Sequence, residues 1–359
     1  MIFVLLQILR GVAASMVVGH HYVASQVERE QSVQPWVEGV GGSGVDIFFV
    51  ISGFIMMMTQ SIPHKAVSAK QFLWRRLVRI APLYWVLTLT AVLLILLASS
   101  EVNADFSLQK ALASLLFLPF GSGIDMEMHA HTAYVIPMAW TLTYEWYFYL
   151  VFALTLAVGL KPTTRIGAMA VWFTLSVAVG FLFQPTSLIL QIATNPIVFE
   201  FLLGCLVAIL YRQGYRLNGL QAVILAMLAI AMLGNTFHQT AFERLLLWGV
   251  PAFMLIAAAS LYQAGKLDFI MLRPFVRLGD ISYSLYLSHF FCLALFVRMQ
   301  DRSSYLQEGF SLTSLIIFML LVLVVAEVCY RCIEEPARRY FSKRQELTAG
   351  MTARNERAS

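Results

Sequence analysis

The sequence predicts an all-α protein, a polytopic membrane helix bundle of about ten transmembrane helices with both termini in the cytoplasm. Hydrophobic residues make up 59% of the 359 residues and charged residues only 13%, whereas a soluble domain carries about 25% charged residues. The mean hydropathy is +0.74. Apolar stretches, most of them close to the roughly 20 residues that cross the hydrocarbon core, lie at 2–24, 45–60, 80–98, 138–160, 166–184, 195–211, 219–237, 245–263, 279–298 and 312–333.

The distribution of lysine and arginine predicts the orientation. If the first helix begins inside and the helices alternate, 19 of the 25 Lys and Arg residues fall on the inner side and five on the outer side, with Arg10 inside the first helix. Because positive charges favour the cytoplasmic side, an even number of helices places both termini inside. The net charge of +5 then indicates topology and contact with anionic membrane lipids, and not binding of nucleic acid.

The domain organisation is a membrane domain over residues 1–335 and a basic cytoplasmic tail over residues 336–359. An apolar piece from Ala111 to Phe120 is too short to span a bilayer, so we expect an interfacial or re-entrant helix on the outer side. Four glycines between positions 39 and 44 match a dinucleotide-binding pattern, but no strand precedes them. They are expected to allow close backbone packing where the second helix begins. No pattern of paired ligands predicts a metal site.

Arg10 and His21 are ionisable residues inside the first apolar stretch. Basic residues at the centre of a membrane helix cost about 2.5–3.5 kcal/mol on insertion scales, so their presence suggests a polar cavity. Eleven residues at about 100° each come within about 20° of three full turns, so both side chains share one face, roughly 16 Å apart along the axis. The alternative is an arginine that snorkels from the helix end and a histidine at the far interface.

Six motifs occur in order over nearly the whole chain. They are Leu9-Arg10-Gly11 with His21, Gly44 to Phe54, Arg75-Arg76 with Arg79 to Tyr84, Trp140 to Glu145, Gly279 with Ser282 to Leu287 and His289, and Glu335-Pro336. Together they resemble the acyltransferase family three of integral membrane sugar O-acyltransferases, and the sequence around Asp46 and Glu145 is most similar to its exopolysaccharide O-acetyltransferase branch. The resemblance implies an enzyme of the bacterial inner membrane. It would transfer an acyl group, commonly acetyl from acetyl-CoA, to a hydroxyl of a cell-envelope or exported polysaccharide, free or lipid-linked.

The donor implied by the resemblance carries a diphosphate and a 3′-phosphate, so its site needs several fixed positive charges near the inner face. Arg75, Arg76 and Arg79 supply them on the predicted cytoplasmic side, and guanidinium groups suit phosphate oxygens. The alternative reading of these three residues is an ordinary positive-inside anchor.

Acyl transfer to an alcohol needs a base, and neutral imidazole can accept the alcohol proton and return it to the leaving thiolate. We expect His21 to be that base, because the resemblance fixes its spacing from Arg10. His20 faces about 100° away and is expected to pack or to form a hydrogen bond. Arg10 has two possible tasks, binding donor phosphate or polarising the thioester carbonyl.

A carboxylate usually orients such a histidine, and the two candidates at membrane depth are Glu145 and Asp46. Glu145 lies in an aromatic run and would be costly to bury without a partner. Asp46 opens the second helix, where capping explains it equally well. Three further ionisable residues within the apolar stretches are expected to have structural roles. Glu200 and Glu327 are expected to pair with helix-end arginines such as Arg331, and His289 is expected to be a buried structural histidine.

Two other classes of protein fit the same composition. A transporter or flippase of glycan intermediates would also bury ionisable residues in such a bundle, and it would show broken helices in matching positions of two halves. A membrane scaffold for polysaccharide assembly would have no chemistry of its own, so it would tolerate replacement of His21 or Arg10. The acceptor sugar, the acyl group, a direct or covalent mechanism and the oligomeric state are not determined by the sequence.

Overall fold

The computed structural model describes residues 4–30, 40–60, 67–97, 107–121, 130–234, 240–263, 269–302 and 311–341. Within these ranges the chain is almost entirely helical and forms no strand, only one isolated β-bridge between Leu217 and Tyr262. The predicted all-α class is confirmed. The helices are α1 Val4–Glu30, α2 Gly44–Gln60, α3 Ala69–Leu97, α4 Leu108–Leu115, α5 Ala139–Ala157, α6 Pro162–Phe183, α7 Leu188–Thr194, α8 Val198–Arg212, α9 Gly219–Leu233, α10 Ala241–Arg244, α11 Val250–Leu261, α12 Phe269–Asp280, α13 Ser282–Arg302 and α14 Leu312–Cys329.

Every predicted apolar stretch coincides with a helix, but fewer than ten are clear membrane spans. In the described part of the chain, seven helices are long and apolar enough to cross a membrane. The bent pair Met271–Asp280 and Ser282–Arg302, at 66°, makes an eighth if it is one span. Helix α5, in which Glu145 lies among threonines and aromatic residues, is not among them, and α9 has only 15 residues, short of the roughly 20 needed. Ten spans and cytoplasmic termini therefore stay predictions.

Two helix directions agree with the predicted alternation. Arg10 contacts Ser282 and His21 contacts His289, so α1 and α13 run in the same direction. In the predicted order α1 is the first span and α13 the ninth, and two odd-numbered spans must cross the membrane in the same direction. The rings of α2 meet those of α8 in matching order, Phe49 with Phe201 and Phe54 with Tyr211. The second and sixth predicted helices are therefore also parallel, as expected.

The surface is apolar and part of the interior is polar, which is the arrangement of a membrane protein. Large side chains such as Phe181, Phe183 and Leu97 are each 75% exposed. In contrast Asp46 and Glu200 are completely buried. Exposed apolar surface on this scale is rare in soluble monomers and suits contact with lipid.

Glycines allow the helices around the centre of the bundle to cross closely. A Cβ atom on Gly44 would lie 2.4 Å from the Ala13 carbonyl oxygen, and one on Gly41 would lie 2.6 Å from Cβ of His20. The interpretation of the glycine cluster as a close-packing device is therefore confirmed for Gly41 and Gly44, whereas Gly39 lies outside the described residues. On the opposite face of α2, a Cβ atom on Gly204 of α8 would lie 1.9 Å from the Val50 carbonyl oxygen.

We expect Gly204→Ala to lower the thermal unfolding temperature of the protein in detergent. Alanine favours a helix by about 1 kcal/mol over glycine, but at this position its methyl group would force α2 and α8 apart. Gly167→Ala is the matched control, because a Cβ atom there meets nothing within 4 Å. An unfolding temperature that Gly204→Ala leaves unchanged would refute the close crossing.

The stretch from Ala111 to Phe120 overlaps a short helix that begins at Leu108 and ends at Leu115. Helix α4 has eight residues, which cannot span a membrane. It packs on α3, since the Tyr84 hydroxyl donates to the Ser114 carbonyl at 2.7 Å. The chain then turns back at Phe117, whose φ is 60°.

The last helix continues beyond the predicted domain boundary. A π-helical turn, Tyr330–Glu334, follows α14, and helix resumes as far as Phe341. Position 335 is therefore inside a helical segment. Residues 342–359, which make up most of the predicted tail, lie outside the described residues.

Candidate functional site

A cavity that is partly open to the outside lies in the bundle, and the empty space in it and in its mouth is about 660 Å³. It is lined by charged and hydroxyl side chains as well as apolar ones: Arg10, Val45, Phe48, Phe49, Ile51, Ser52, Ile55, Arg76, Arg79, Thr141, Leu142, Glu145, Tyr283 and Tyr286. These residues come from α1, α2, α3, α5 and α13. Four of the residues that the sequence singled out, Arg10, Arg76, Arg79 and Glu145, are thus brought to one cavity.

The cavity is elongated along α2. Its lining on this helix runs from Val45 to Ile55, which is roughly 15 Å at 1.5 Å per residue. The arginines and Glu145 line the part near Ser52, since Ser52 contacts Glu145. Thr141 and Tyr286 line the other part, and their hydroxyl groups are 2.9 Å apart.

Arg10 is held by neutral groups. Its guanidinium donates to the Gln7 amide oxygen at 3.2 Å and to the Ser282 hydroxyl at 3.1 Å. Gln7 in turn donates to Asp280 at 2.7 Å, so the position of Arg10 is fixed from α12 and α13. Among the described residues Arg10 forms no ion pair, and its charge is available to the cavity.

The three arginines of α3 separate into two groups. Arg76 and Arg79 line the cavity, whereas Arg75 is exposed and does not. The Arg76 guanidinium lies over the rings of Phe72 and Tyr149, at 5.4 and 5.6 Å from their centres. The helix therefore turns two of the three predicted donor-binding charges inward.

Glu145 is anchored by one of its two carboxylate oxygens. The Ser52 hydroxyl donates to its Oε1 at 2.9 Å, and the Tyr149 hydroxyl donates to the same oxygen. Tyr149 also stacks with Arg76. Glu145 is thereby tied to the arginine cluster, and its predicted contact with His21 is not formed.

The cavity lining has an excess of positive charge. Three arginines and one carboxylate line it. A second carboxylate, Glu334, lies just outside, where it accepts a hydrogen bond of 2.7 Å from Ser284 and interacts electrostatically with Arg10 and Arg79. Fixed guanidinium groups in a partly buried cavity are strong ligands for an anion such as phosphate.

His21 lies beside the cavity, and it is not one of the lining residues. Its Nδ1 is 2.9 Å from the Val17 carbonyl oxygen, and its ring centre is 5.0 Å from that of His289. The His289 ring is 6.1 Å from Tyr286, which lines the cavity. Ring contacts through His289 and Tyr286 thus connect His21 to the cavity.

Asp46 lies outside the cavity lining, in an ion pair with Arg244. Its two oxygens accept from Nε and Nη2 of Arg244 at 3.1 and 3.0 Å, and the Asp46 side chain is fully buried. Arg244 also lies 4.9 Å from the Trp248 ring and 5.7 Å from the Trp140 ring. This pair joins α2 to α10, so Asp46 has a structural partner and no contact with His21.

The predicted pairing of Glu327 is confirmed. Its carboxylate binds Arg331 at 2.6 Å and Arg277 at 2.6 Å. Glu200 lies in the buried cluster of Asp46 and Arg244 and interacts electrostatically with both. Arg244 is the last residue of α10, so the arginine beside Glu200 is a helix-end arginine, as expected. The described residues contain no group of three or more His, Cys, Asp or Glu that could hold a metal ion.

Several residues of the site were not identified from the sequence. Tyr149 follows Glu145 by four residues, and Gln7 precedes Arg10 by three, so helical spacing alone could have found both. Ser52 and Arg244 are different, because their partners are 93 and 198 residues away. Nothing in the local sequence indicates those contacts.

Comparison with known proteins identifies the family to which the chain belongs. A family model described as an acyltransferase domain matches residues 4–331. The exopolysaccharide production protein ExoZ of Rhizobium meliloti is 30% identical over 262 residues, 72% of this chain and 78% of ExoZ. The O-acetyltransferase OatA of Staphylococcus aureus is 25% identical over 332 residues, 85% of this chain and 53% of OatA.

The putative peptidoglycan O-acetyltransferase YrhL of Bacillus subtilis is 24% identical over 345 residues, 86% of this chain and 53% of YrhL. The chain therefore spans about half the length of OatA and of YrhL. No solved structure matches it. Because the family model covers most of the sequence and ExoZ is similar over most of its length, the chain belongs to this family of membrane acyltransferases.

Proposed function

We propose that the protein transfers an acetyl group from acetyl-CoA to a hydroxyl of an exported or cell-envelope polysaccharide. The observation that carries the proposal is the cavity in which Arg10, Arg76 and Arg79 are set against the single carboxylate of Glu145. The similarity to ExoZ, an exopolysaccharide production protein, and to YrhL, a putative peptidoglycan O-acetyltransferase, supports polysaccharide as the acceptor. The similarity to the O-acetyltransferase OatA supports acetyl as the transferred group. The enzyme acts in the inner membrane of a bacterium, surrounded by lipid.

The phosphates of the donor bind Arg76 and Arg79. Charge-assisted hydrogen bonds contribute about 1.5–3 kcal/mol each, and two guanidinium groups at fixed positions can hold a diphosphate from two sides. Arg75 is exposed and acts as an electrostatic anchor at the cytoplasmic face. Arg10, held by Gln7 and Ser282, lines the same part of the cavity and is a third ligand for the donor phosphates. It lies roughly 16 Å along α1 from His21, too far to contact the thioester that reaches His21.

The elongated cavity accommodates the pantetheine arm of acetyl-CoA, which carries the acyl group. A length of roughly 15 Å along α2 allows the arm to extend from the arginines toward Thr141 and Tyr286. The Tyr286 side chain lies between this end and the histidines, so it must move aside for the thioester to reach His21. The glycan, free or lipid-linked, approaches from the outer side.

His21 is the base of the reaction. Its neutral imidazole takes the proton from the glycan hydroxyl as the oxygen attacks the thioester carbonyl. The new C–O bond forms, the C–S bond breaks, and the proton passes from the imidazolium to the sulfur. The products are an O-acetylated glycan and the free thiol of coenzyme A, so atoms and charge balance.

The two carboxylates, Glu145 in the cavity lining and Asp46 outside it, hold arginines in place. Glu145 interacts electrostatically with Arg10 and Arg76, and it keeps the cavity from holding three uncompensated charges before the donor binds. Asp46 fixes Arg244 between two tryptophans at the other end of α2. We assign both residues to positioning within the site.

Purified protein in liposomes tests the proposed function. Acetyl-CoA supplied with polysaccharide should release free thiol, and mass analysis of the polysaccharide should show the added acetyl group. Without polysaccharide the thiol should not accumulate. Movement of a glycan across the liposome membrane with no consumption of acetyl-CoA would overturn the proposal and favour a flippase.

A further inference from the structure

His21 and His289 form a pair of imidazoles between two parallel helices. Their ring centres are 5.0 Å apart and the planes are tilted by 46°. His289 is fully buried on α13, and His21 is partly exposed on α1. The pair lies directly behind Tyr286, which lines the cavity.

The hydrogen bonds of the two rings fix which nitrogen carries the proton. Nδ1 of His21 is 2.9 Å from the Val17 carbonyl oxygen, and Nδ1 of His289 is 2.6 Å from the Tyr286 carbonyl oxygen. A carbonyl oxygen only accepts, so Nδ1 is the donor in both rings. In its neutral form each imidazole therefore has an unprotonated Nε2.

Nε2 of His289 is buried and has no hydrogen-bond partner among the described residues. A buried acceptor without a partner is unfavourable by about 1–3 kcal/mol, so a group at this position calls for an explanation. The nearest donor that appears during the proposed reaction is the imidazolium of His21. The ring centres are 5.0 Å apart, about the separation that a hydrogen bond between two imidazole nitrogens spans. In the structure the two Nε2 atoms are not hydrogen-bonded to each other, so the rings turn toward each other when His21 takes up the proton.

The two carboxylates that could have supported His21 are engaged elsewhere. Glu145 accepts from Ser52 and Tyr149, and Asp46 binds Arg244. His20 on α1 and Tyr286 on α13 are titratable groups in ring contact with the pair. Neither carries a negative charge at neutral pH.

We propose that His289 is a positioning residue that shares, through its Nε2, the proton that His21 takes from the glycan hydroxyl. This inference depends on the proposed function, in which His21 is the base. The proton is held between the two Nε2 atoms while the tetrahedral intermediate exists, and it leaves for the sulfur when the C–S bond breaks. His289 itself does not contact the substrate.

Two substitutions of His289 separate this role from a purely structural one. His289→Gln keeps an acceptor near the position of Nε2 but loses the donor to the Tyr286 carbonyl. His289→Asn keeps that donor and loses the acceptor. We expect kcat to be about tenfold higher in the Gln variant than in the Asn variant, with KM for acetyl-CoA unchanged in both.

The outcomes distinguish the possible failures. If the His289→Asn variant is as active as the His289→Gln variant or more active, the proton-sharing role of His289 is refuted. The proposed function still holds in that case, provided that His21→Ala is inactive under the same conditions. If His21→Ala is active, the proposed base is wrong. Cys292→Ala, a buried position one turn later on α13, is the control and should retain the wild-type kcat.

Discussion

Replacement of His21 by alanine is expected to lower kcat for acetyl transfer by about 10²–10⁴-fold, the contribution of a positioned general base. Binding of acetyl-CoA should not change, because His21 is outside the cavity lining. Measurement of kcat for the purified variant, together with direct measurement of its acetyl-CoA binding, checks both parts of the prediction.

His20→Ala is the control for this experiment. His20 precedes His21 on the same helix, and its Cβ atom, which alanine retains, packs closely against Gly41. We expect its kcat to remain within a fewfold of wild type. Equal losses in the two variants would show that α1 tolerates no change here, and they would remove the evidence for a chemical role of His21.

Removal of the inward arginines should weaken donor binding strongly. We expect Arg76→Gln and Arg79→Gln each to weaken acetyl-CoA binding by about 10–100-fold, since a charge-assisted hydrogen bond contributes about 1.5–3 kcal/mol. The effect should diminish at high salt, although less than for an exposed charge. Calorimetric titration of the purified variants with coenzyme A measures it.

Arg75→Gln is the matched control, because Arg75 is on the same helix but is exposed and does not line the cavity. Its affinity for coenzyme A should equal that of wild type. If all three substitutions reduce the amount of inserted protein and leave the affinity unchanged, the arginines are a positive-inside anchor and the cavity binds something else.

The fold class and several site residues could be predicted from the sequence for simple reasons. Apolar stretches of helical length indicate helices wherever they occur, and helical spacing put Arg10 and His21 on one face. That face meets α13, since Arg10 contacts Ser282 and His21 contacts His289. Local periodicity was enough for these features.

The partners of the carboxylates could not be predicted in the same way. Asp46 and Arg244 are 198 residues apart, and Ser52 and Glu145 are 93 residues apart. Such pairs depend on which helices become neighbours, and close glycine crossings decide that here. The expectation that a carboxylate orients His21 used chemistry alone, and the structure gives Glu145 and Asp46 other partners.

A structure of the protein with bound coenzyme A, determined by electron microscopy, would decide where the donor binds. We expect the phosphates within hydrogen-bond distance of Arg76 and Arg79 and the thiol end near Tyr286, on the side of His21. Coenzyme A bound elsewhere, with the arginine-lined cavity left empty, would contradict the proposed donor site.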